Sequence, residues 1–287
     1  MKQRLEELER SRGSRVLLIG TSHLELDLLP VLYDALTDMG HTQRLDVLFH
    51  CCGGMVNAAR RIALMLHGFT GHLAFIVPDR CLSSGMIAAL AAHELVAGPA
   101  AIFSPVDPHL ETPSGSGEGP QAVSAQDVRL FARMAQDWFG LAEGEAKAKA
   151  LAVLGESIFP TTLTSFYRSM LEVEAICAEL IALGLPAAQP AVRAEIVEIL
   201  LHRQHSHGFA LTRDDLGKLG LPVRDDAAAE AIAWEVARGL RGGLGGGARR
   251  KPEDDWFDSL LATTAGSMRR RRSPSGLAPR WEAGGIE

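Results

Sequence analysis

The chain has 287 residues, of which 47% are hydrophobic and 22% charged, a balance that excludes wholesale disorder and allows one large domain or two small ones. A net charge of −6 speaks against a dedicated nucleic-acid binder, and no apolar run approaches the roughly 18 residues of a membrane helix. The charged start MKQRLEELERSRGSR lacks the apolar centre of a secretory signal. The cysteines are Cys51, Cys52, Cys81 and Cys177. They form no CxxC pair, so no metal site is expected, and reduced thiols in a cytoplasmic protein are.

Residues 2–11 read as a short polar helix, and 15–20 (RVLLIG) as a buried strand closed by glycine. Helical spacing of Leu24, Leu28, Leu29, Leu32 and Leu36 predicts a helix over 23–39 that stops near Gly40. A second strand, 45–50, runs into Gly53-Gly54, followed by a helix over 56–67. A third strand, 73–77, is closed by Pro78. Residues 83–95 are almost wholly apolar and predict a buried helix, with a short strand at 95–103 behind it. Strand and helix alternating at this spacing imply right-handed crossovers and a mainly parallel sheet. Residues 111–124 read as a mobile Gly/Ser/Pro loop, and about 125–240 as helical, with breaks near Pro160, Pro186, Pro190 and Gly208. Two regions are therefore expected: 1–240, with a helical arm from about 125, and 241–287, a Gly-rich hinge with a disordered basic tail.

The last forty residues hold eight basic and six acidic side chains, with four arginines in a row at Arg269–Arg272. Such a run is a solvated tail or a docking segment for an acidic partner. Trp256, Phe257, Leu260 and Leu261 suggest a short amphipathic helix within it.

Sites in open parallel sheets form at the carboxyl ends of strands. Gly53-Gly54 allows a sharp turn with bare N–H groups, and Ser83-Ser84-Gly85 places hydroxyls at a helix start. Together they supply a nucleophile and oxyanion donors for acyl transfer. Each alone is commonplace, since a serine before a helix is more often an N-cap. The cluster His202, His205, His207 lacks metal-ligand spacing, and no Walker loop or GxGxxG occurs.

The stretch from Asp46 to His50 with Gly53-Gly54, Ala58-Ala59 and Ile62-Ala63 resembles the strand–Gly-Gly–helix block of the Clp/crotonase superfamily. Phe75 to Asp79, Ser83-Ser84-Gly85, His93-Glu94 and Ser104 to His109 are similar to the serine dehydrogenase proteinase (SDH) family within it, a family akin to Clp protease and signal peptide peptidase A. The resemblance implies an α/β Clp/crotonase-like spiral of mainly parallel strands with interleaved helices and a C-terminal helical arm. It implies an ATP-independent serine peptidase without cofactor, acting on peptides or proteins as a homo-oligomer. Ser83 would be the nucleophile, with Ser84 as its rival. Gly53, Gly54 and Ser84 would supply the oxyanion amides, and His109 the base, with Asp107 orienting it or standing at the base position itself. Lys147 or Lys149 would serve in a lysine-dependent variant.

The sequence departs from the family pattern at five places. Cys52 replaces a proline, Met86 a threonine and His93 an aspartate, while Phe159 replaces a histidine and His109 a glutamine. These departures motivate a second expectation, a degenerate Clp-fold scaffold. A third, weaker one is an acyl-CoA enzyme of the crotonase type.

Overall fold

The computed structural model describes residues 1–106, 109–112, 121–204, 206, 208–241, 243–245, 257–271 and 279–285. Helix α1 (Lys2–Arg12) leads into β1 (Arg15–Thr21), then α2 (Leu28–Met39), β2 (Leu45–Cys51), α3 (Val56–Gly68) and β3 (Leu73–Val77). Strands β1, β2 and β3 pair in parallel, as the alternating pattern predicts. A short β4 (Arg80–Cys81) pairs with the end of β2 and precedes α4 (Ser84–Ala89). Strand β5 (Glu94–Ala97) rejoins the sheet beside β3, and β6 (Ile102–Phe103) pairs with β4.

Strands β1, β2 and β3 are largely hydrophobic because both faces are covered. On one face Leu17, Ile19, Val47, Phe49 and Phe75 pack beneath α2, α3 and α4. On the other, Val16, Leu18, Leu48, Ile76 and Val96 meet Leu5 and Leu8 of α1. Helix α4 is shorter than the run 83–95 suggests. Gly184, at the end of a later helix, lies so close to this segment that a Cβ on it would be 2.3 Å from the Leu90 carbonyl. The His93 N–H already donates to Leu73 O at 2.8 Å, which draws the chain into β5.

The ends of the expected loop at 111–124 form an antiparallel pair, β7 (His109–Thr112) with β8 (Gln121–Ser124). The helical arm follows as α5 (Ala125–Phe139), α6 (Glu143–Ser157), α7 (Pro160–Gly184) and α8 (Pro190–Glu198). Both prolines sit at helix starts, where a missing N–H costs nothing. A π-helical turn (Ile199–Arg203), α9 (Arg213–Lys218), β9 (Val223–Arg224) and α10 (Ala227–Leu240) complete this region. Helix α10 packs on the α1 face, and β9 extends the parallel sheet beyond β5.

The tail corrects the sequence reading. Residues 259–284 contribute β10 (Ser259–Ala262), β11 (Ser267–Arg271) and β12 (Arg280–Gly284), antiparallel additions on the free edge of β1. The sheet order is β12-β11-β10-β1-β2-β3-β5-β9. Leu260 and Leu261 are strand residues rather than parts of a docking helix, while Trp256 and the hinge residues 246–256 lie outside the described residues. Arg270, read as part of a solvated run, is wholly buried. Its Nε donates to Asp258 at 2.8 Å, its Nη1 to Asp27 at 2.8 Å and Glu25 at 3.1 Å, and its Nη2 to His23 O at 2.7 Å. The acidic partner of this arginine is therefore the chain itself. Within β11 Arg270 is buried while Arg269 and Arg271 on either side are partly exposed, a difference that a run of like charges hides from a compositional reading.

A second buried network ties α1 to the sheet. Arg12 donates to Asp46, Glu94 and Asp226, and Arg44 to Asp46 and Glu94. Burial pushes the Glu94 and Asp226 carboxyls up, but hydrogen bonds from Arg12 and Arg44 to Glu94, and from the Ala229 backbone N–H and Arg12 to Asp226, outweigh it and hold both below their ordinary values of 4.5 and 3.8. Groups with depressed folded values stabilise the fold above their unfolded values and lose that contribution as pH falls through the folded ones. The urea midpoint is expected to drop as pH falls from about 5 to about 3, and Arg12→Met is expected to flatten that drop.

Candidate functional site

The site begins with the turn between β4 and α4. Leu82 is tied to β2 by its N–H, which donates to Cys51 O at 2.9 Å, and its own carbonyl accepts from Gly85 N at 2.8 Å. That closes a four-residue turn, Leu82-Ser83-Ser84-Gly85. Ser83 occupies its second position with φ 51° and ψ −118°. Those angles belong to the first central residue of a type II′ turn, which glycine prefers. Among the described residues Ser83 is the one non-glycine with positive φ.

Neighbouring elements hold this strain in place. The Ser83 N–H donates to Ser104 Oγ at 2.7 Å, and Ser104, nearly buried, donates in turn to Pro105 O at 3.1 Å. Gly85 allows α4 to start against β2, since a Cβ there would lie 2.8 Å from Cys51 Cβ and 2.9 Å from its sulfur. The third residue of the Ser-x-Gly pattern is thus a packing requirement. Strain of this kind costs about 1–3 kcal/mol. Ser83→Gly is accordingly expected to raise stability by about 1 kcal/mol and the melting temperature by about 2–4 °C, read by scanning calorimetry.

The diglycine turn lies beside this serine. Gly53 and Gly54 have φ 119° and 139°. A Cβ on Gly53 would sit 3.3 Å from Ser83 Cβ and 3.8 Å from its Oγ. Gly54 is clamped against Leu24, where a Cβ would fall 2.3 Å from the Leu24 nitrogen. The clamp is a pair of 2.8 Å backbone bonds, from Leu24 N to Gly53 O and from Met55 N to Leu24 O. The Gly53 N–H is directed at Cys51 Sγ, 3.4 Å away. Among the described residues the N–H groups of Gly54 and Ser84 have no acceptor.

The two serines differ in environment. Ser84 is buried and its Oγ has no hydrogen-bond partner among the described residues, whereas Ser83 is half-buried. The other sequence candidates are placed as follows. His109 starts β7, of whose side chains nothing is described, and Asp107 lies outside the described residues. Lys147 and Lys149 are exposed on α6 and paired with Glu143 and Glu145 one turn away. His202 is bonded to Glu174 at 2.6 Å in the arm, and His205 and His207 lie outside the described residues. A cleft of about 440 Å³ between α7 and α8 includes His202 and Glu174 and shares no residue with the Ser83 turn. Sequence reasoning missed Leu24 and Ser104, both supports of the site. Leu24 reads as an ordinary member of an apolar helix face, and Ser104 enters only as the first residue of the stretch to His109 that resembles the family, with no role of its own.

Fold and turn together define an α/β architecture, a mainly parallel sheet with interleaved helices, that carries a serine on a strained strand-to-helix turn. Residues 30–117 match the family model of the ClpP-like SDH-type serine proteinases, so the resemblance read from the sequence is borne out over the segment holding Gly53, Gly54, Ser83 and Ser84. Two uncharacterized proteins of Methanocaldococcus jannaschii are similar. One is 30% identical over 119 residues, which is 37% of this chain and 41% of the relative. The other is 36% identical over 85 residues, 30% of this chain and 28% of the relative. The chain thus spans less than half the length of the curated relatives it matches. Among solved structures, the 1510-N membrane-bound stomatin-specific protease superposes with a TM-score of 0.44 at 14% identity, covering 77% of this chain and 81% of that one. ClpP1 from Listeria monocytogenes gives 0.40 at 10% identity, covering 77% and 98%.

Proposed function

We propose that the protein is a serine peptidase that needs no ATP and works through an acyl-enzyme on Ser83. The observation that carries this reading is the glycine-like backbone of Ser83 held against Gly53. A fold tolerates such strain in a serine where it aims the hydroxyl outward. The Ser83 oxygen attacks the peptide carbonyl, and the N–H groups of Gly54 and Ser84 receive the oxyanion, with Gly53 shaping the turn. His109 takes the serine proton and returns it to the leaving amine, and Asp107 orients the ring. Water then hydrolyses the ester by the same proton path.

The scaffold reading is motivated by the residues at Cys52, Met86, His93, Phe159 and His109 that depart from the family pattern. Turnover separates the two readings. Purified protein is expected to cleave a fluorogenic peptide mixture equally with and without ATP, and no cleavage by any oligomeric fraction would favour the scaffold.

The arm supports self-association, since Trp138, Phe139, Phe159 and Tyr167 are all largely exposed on α5, α7 and the residue before α7. Among the described residues no helix is long and apolar enough to cross a membrane.

A further inference from the structure

Strand β2 sends alternate side chains to opposite faces, so Phe49 and Cys51 enter the core beneath α4 while Leu48 joins the cluster beneath α10. His50 projects to this second face, and the chain leaving β2 brings Cys52 back over it. Cys52 Sγ lies 3.7 Å from His50 Nε2. On the other side of the ring, His50 Nδ1 faces Asp79 Oδ2 at 3.9 Å. Asp79 is held in turn by Arg241 at 3.6 Å, whose guanidinium lies 4.5 Å from the Trp234 ring centroid. The result is a thiol, an imidazole and a carboxylate in series, assembled from the ends of two neighbouring strands. The Ser83 reading does not use it.

We propose that Cys52 is a peroxide-reactive thiol, with His50 as its base and Asp79 positioning the imidazole. Cys52 differs from the other three cysteines in access. Cys51, Cys81 and Cys177 are buried, and burial pushes the Cys51 and Cys177 thiols up to about 12 and Cys81 well above its ordinary value. Cys52 is half-buried. Burial raises its thiol too, against the opposing pull of Arg80, so the resting group is the thiol and needs a base to react. Burial also lowers His50 despite Asp79, which leaves a neutral ring able to accept that proton.

His50 takes the Cys52 proton, and the thiolate sulfur attacks one oxygen of hydrogen peroxide. The O–O bond breaks and the departing oxygen leaves as water, taking the proton back from His50. Sulfur is oxidised by two electrons to a sulfenic acid and the peroxide is reduced. The three remaining cysteines are buried away from this face, so the sulfenic acid persists instead of closing a disulfide within the chain.

The test treats the reduced full-length protein with hydrogen peroxide in the presence of dimedone, which traps sulfenic acids, and maps adducts by mass spectrometry. The adduct is expected on Cys52 and on none of the other cysteines. His50→Gln is expected to slow its formation at least ~100-fold, the low end for losing a positioned base. Asp79→Asn is expected to slow it less, with partial recovery in Asp79→Glu. Absence of the Cys52 adduct, or equal labelling of all four cysteines, would overturn the proposal. So would an unchanged rate in His50→Gln protein that melts like wild type. If His50→Gln fails to fold, Asp79→Asn decides, and an unchanged rate there counts against the proposal. Peptide turnover is a separate readout, so failure here leaves the serine reading standing.

Discussion

Ser83→Ala is expected to lower kcat/KM for peptide cleavage by about 10⁴-fold or more while the protein stays folded. The side chain is half-buried and makes no packing contribution that alanine cannot supply, so the loss falls on chemistry. The adjacent serine is the informative comparison. Ser84→Ala keeps the backbone N–H and removes a buried hydroxyl without a partner among the described residues. Deleting an unsatisfied buried polar group is expected to stabilise the fold by about 1 kcal/mol. Turnover is expected to persist in Ser84→Ala. Initial rates on a fluorogenic peptide, with melting curves on the same samples, check both halves of this contrast.

Arg270→Met is expected to destabilise the C-terminal strands by about 3–5 kcal/mol, because it leaves the buried carboxylate of Asp258 and the partly covered Glu25 and Asp27 without their common cation. Trp281 is tied to the same cluster through Asp27, with a bond of 3.0 Å from its indole N–H. Loss of the arginine therefore loosens β11 and β12 together. Urea denaturation and limited proteolysis are the measurements, and early cleavage within 257–285 is the expected pattern. Arg271→Met serves as the comparison. That side chain is partly exposed and its ion pair with Glu282 lies near the surface, so a change under about 1 kcal/mol is expected.

Strands β1, β2 and β3 were legible because each is a short aliphatic run closed by a glycine, a diglycine or a proline. Breaks in the helical arm near Pro160 and Pro190 were legible for a similar reason, since proline fits the first helical position and few others. The tail was not. Four consecutive arginines look alike in composition, and only the pleat of β11, combined with Asp258, Glu25 and Asp27 gathered from distant sequence, shows that Arg270 is internal. The end of α4 was hidden for a related reason. Its apolar run continues to 92, and contact with Gly184 from a helix ninety residues on is not a local signal. At the site, Ser83, Ser84, Gly53 and Gly54 were readable from spacing. The positive φ of Ser83 was not, because a serine there carries none of glycine's compositional warning. The pairing of His50 with Cys52 was missed for want of Asp79, whose approach depends on strand register rather than on the sequence distance between them.

The proposed nucleophile is one strained serine, Ser83. A fluorophosphonate probe, followed by peptide mapping of the adduct, is the decisive measurement. A single modified residue, Ser83, is expected in the wild-type protein and no adduct in Ser83→Ala. An adduct on Ser84, or equal modification of wild type and Ser83→Ala, would rule Ser83 out.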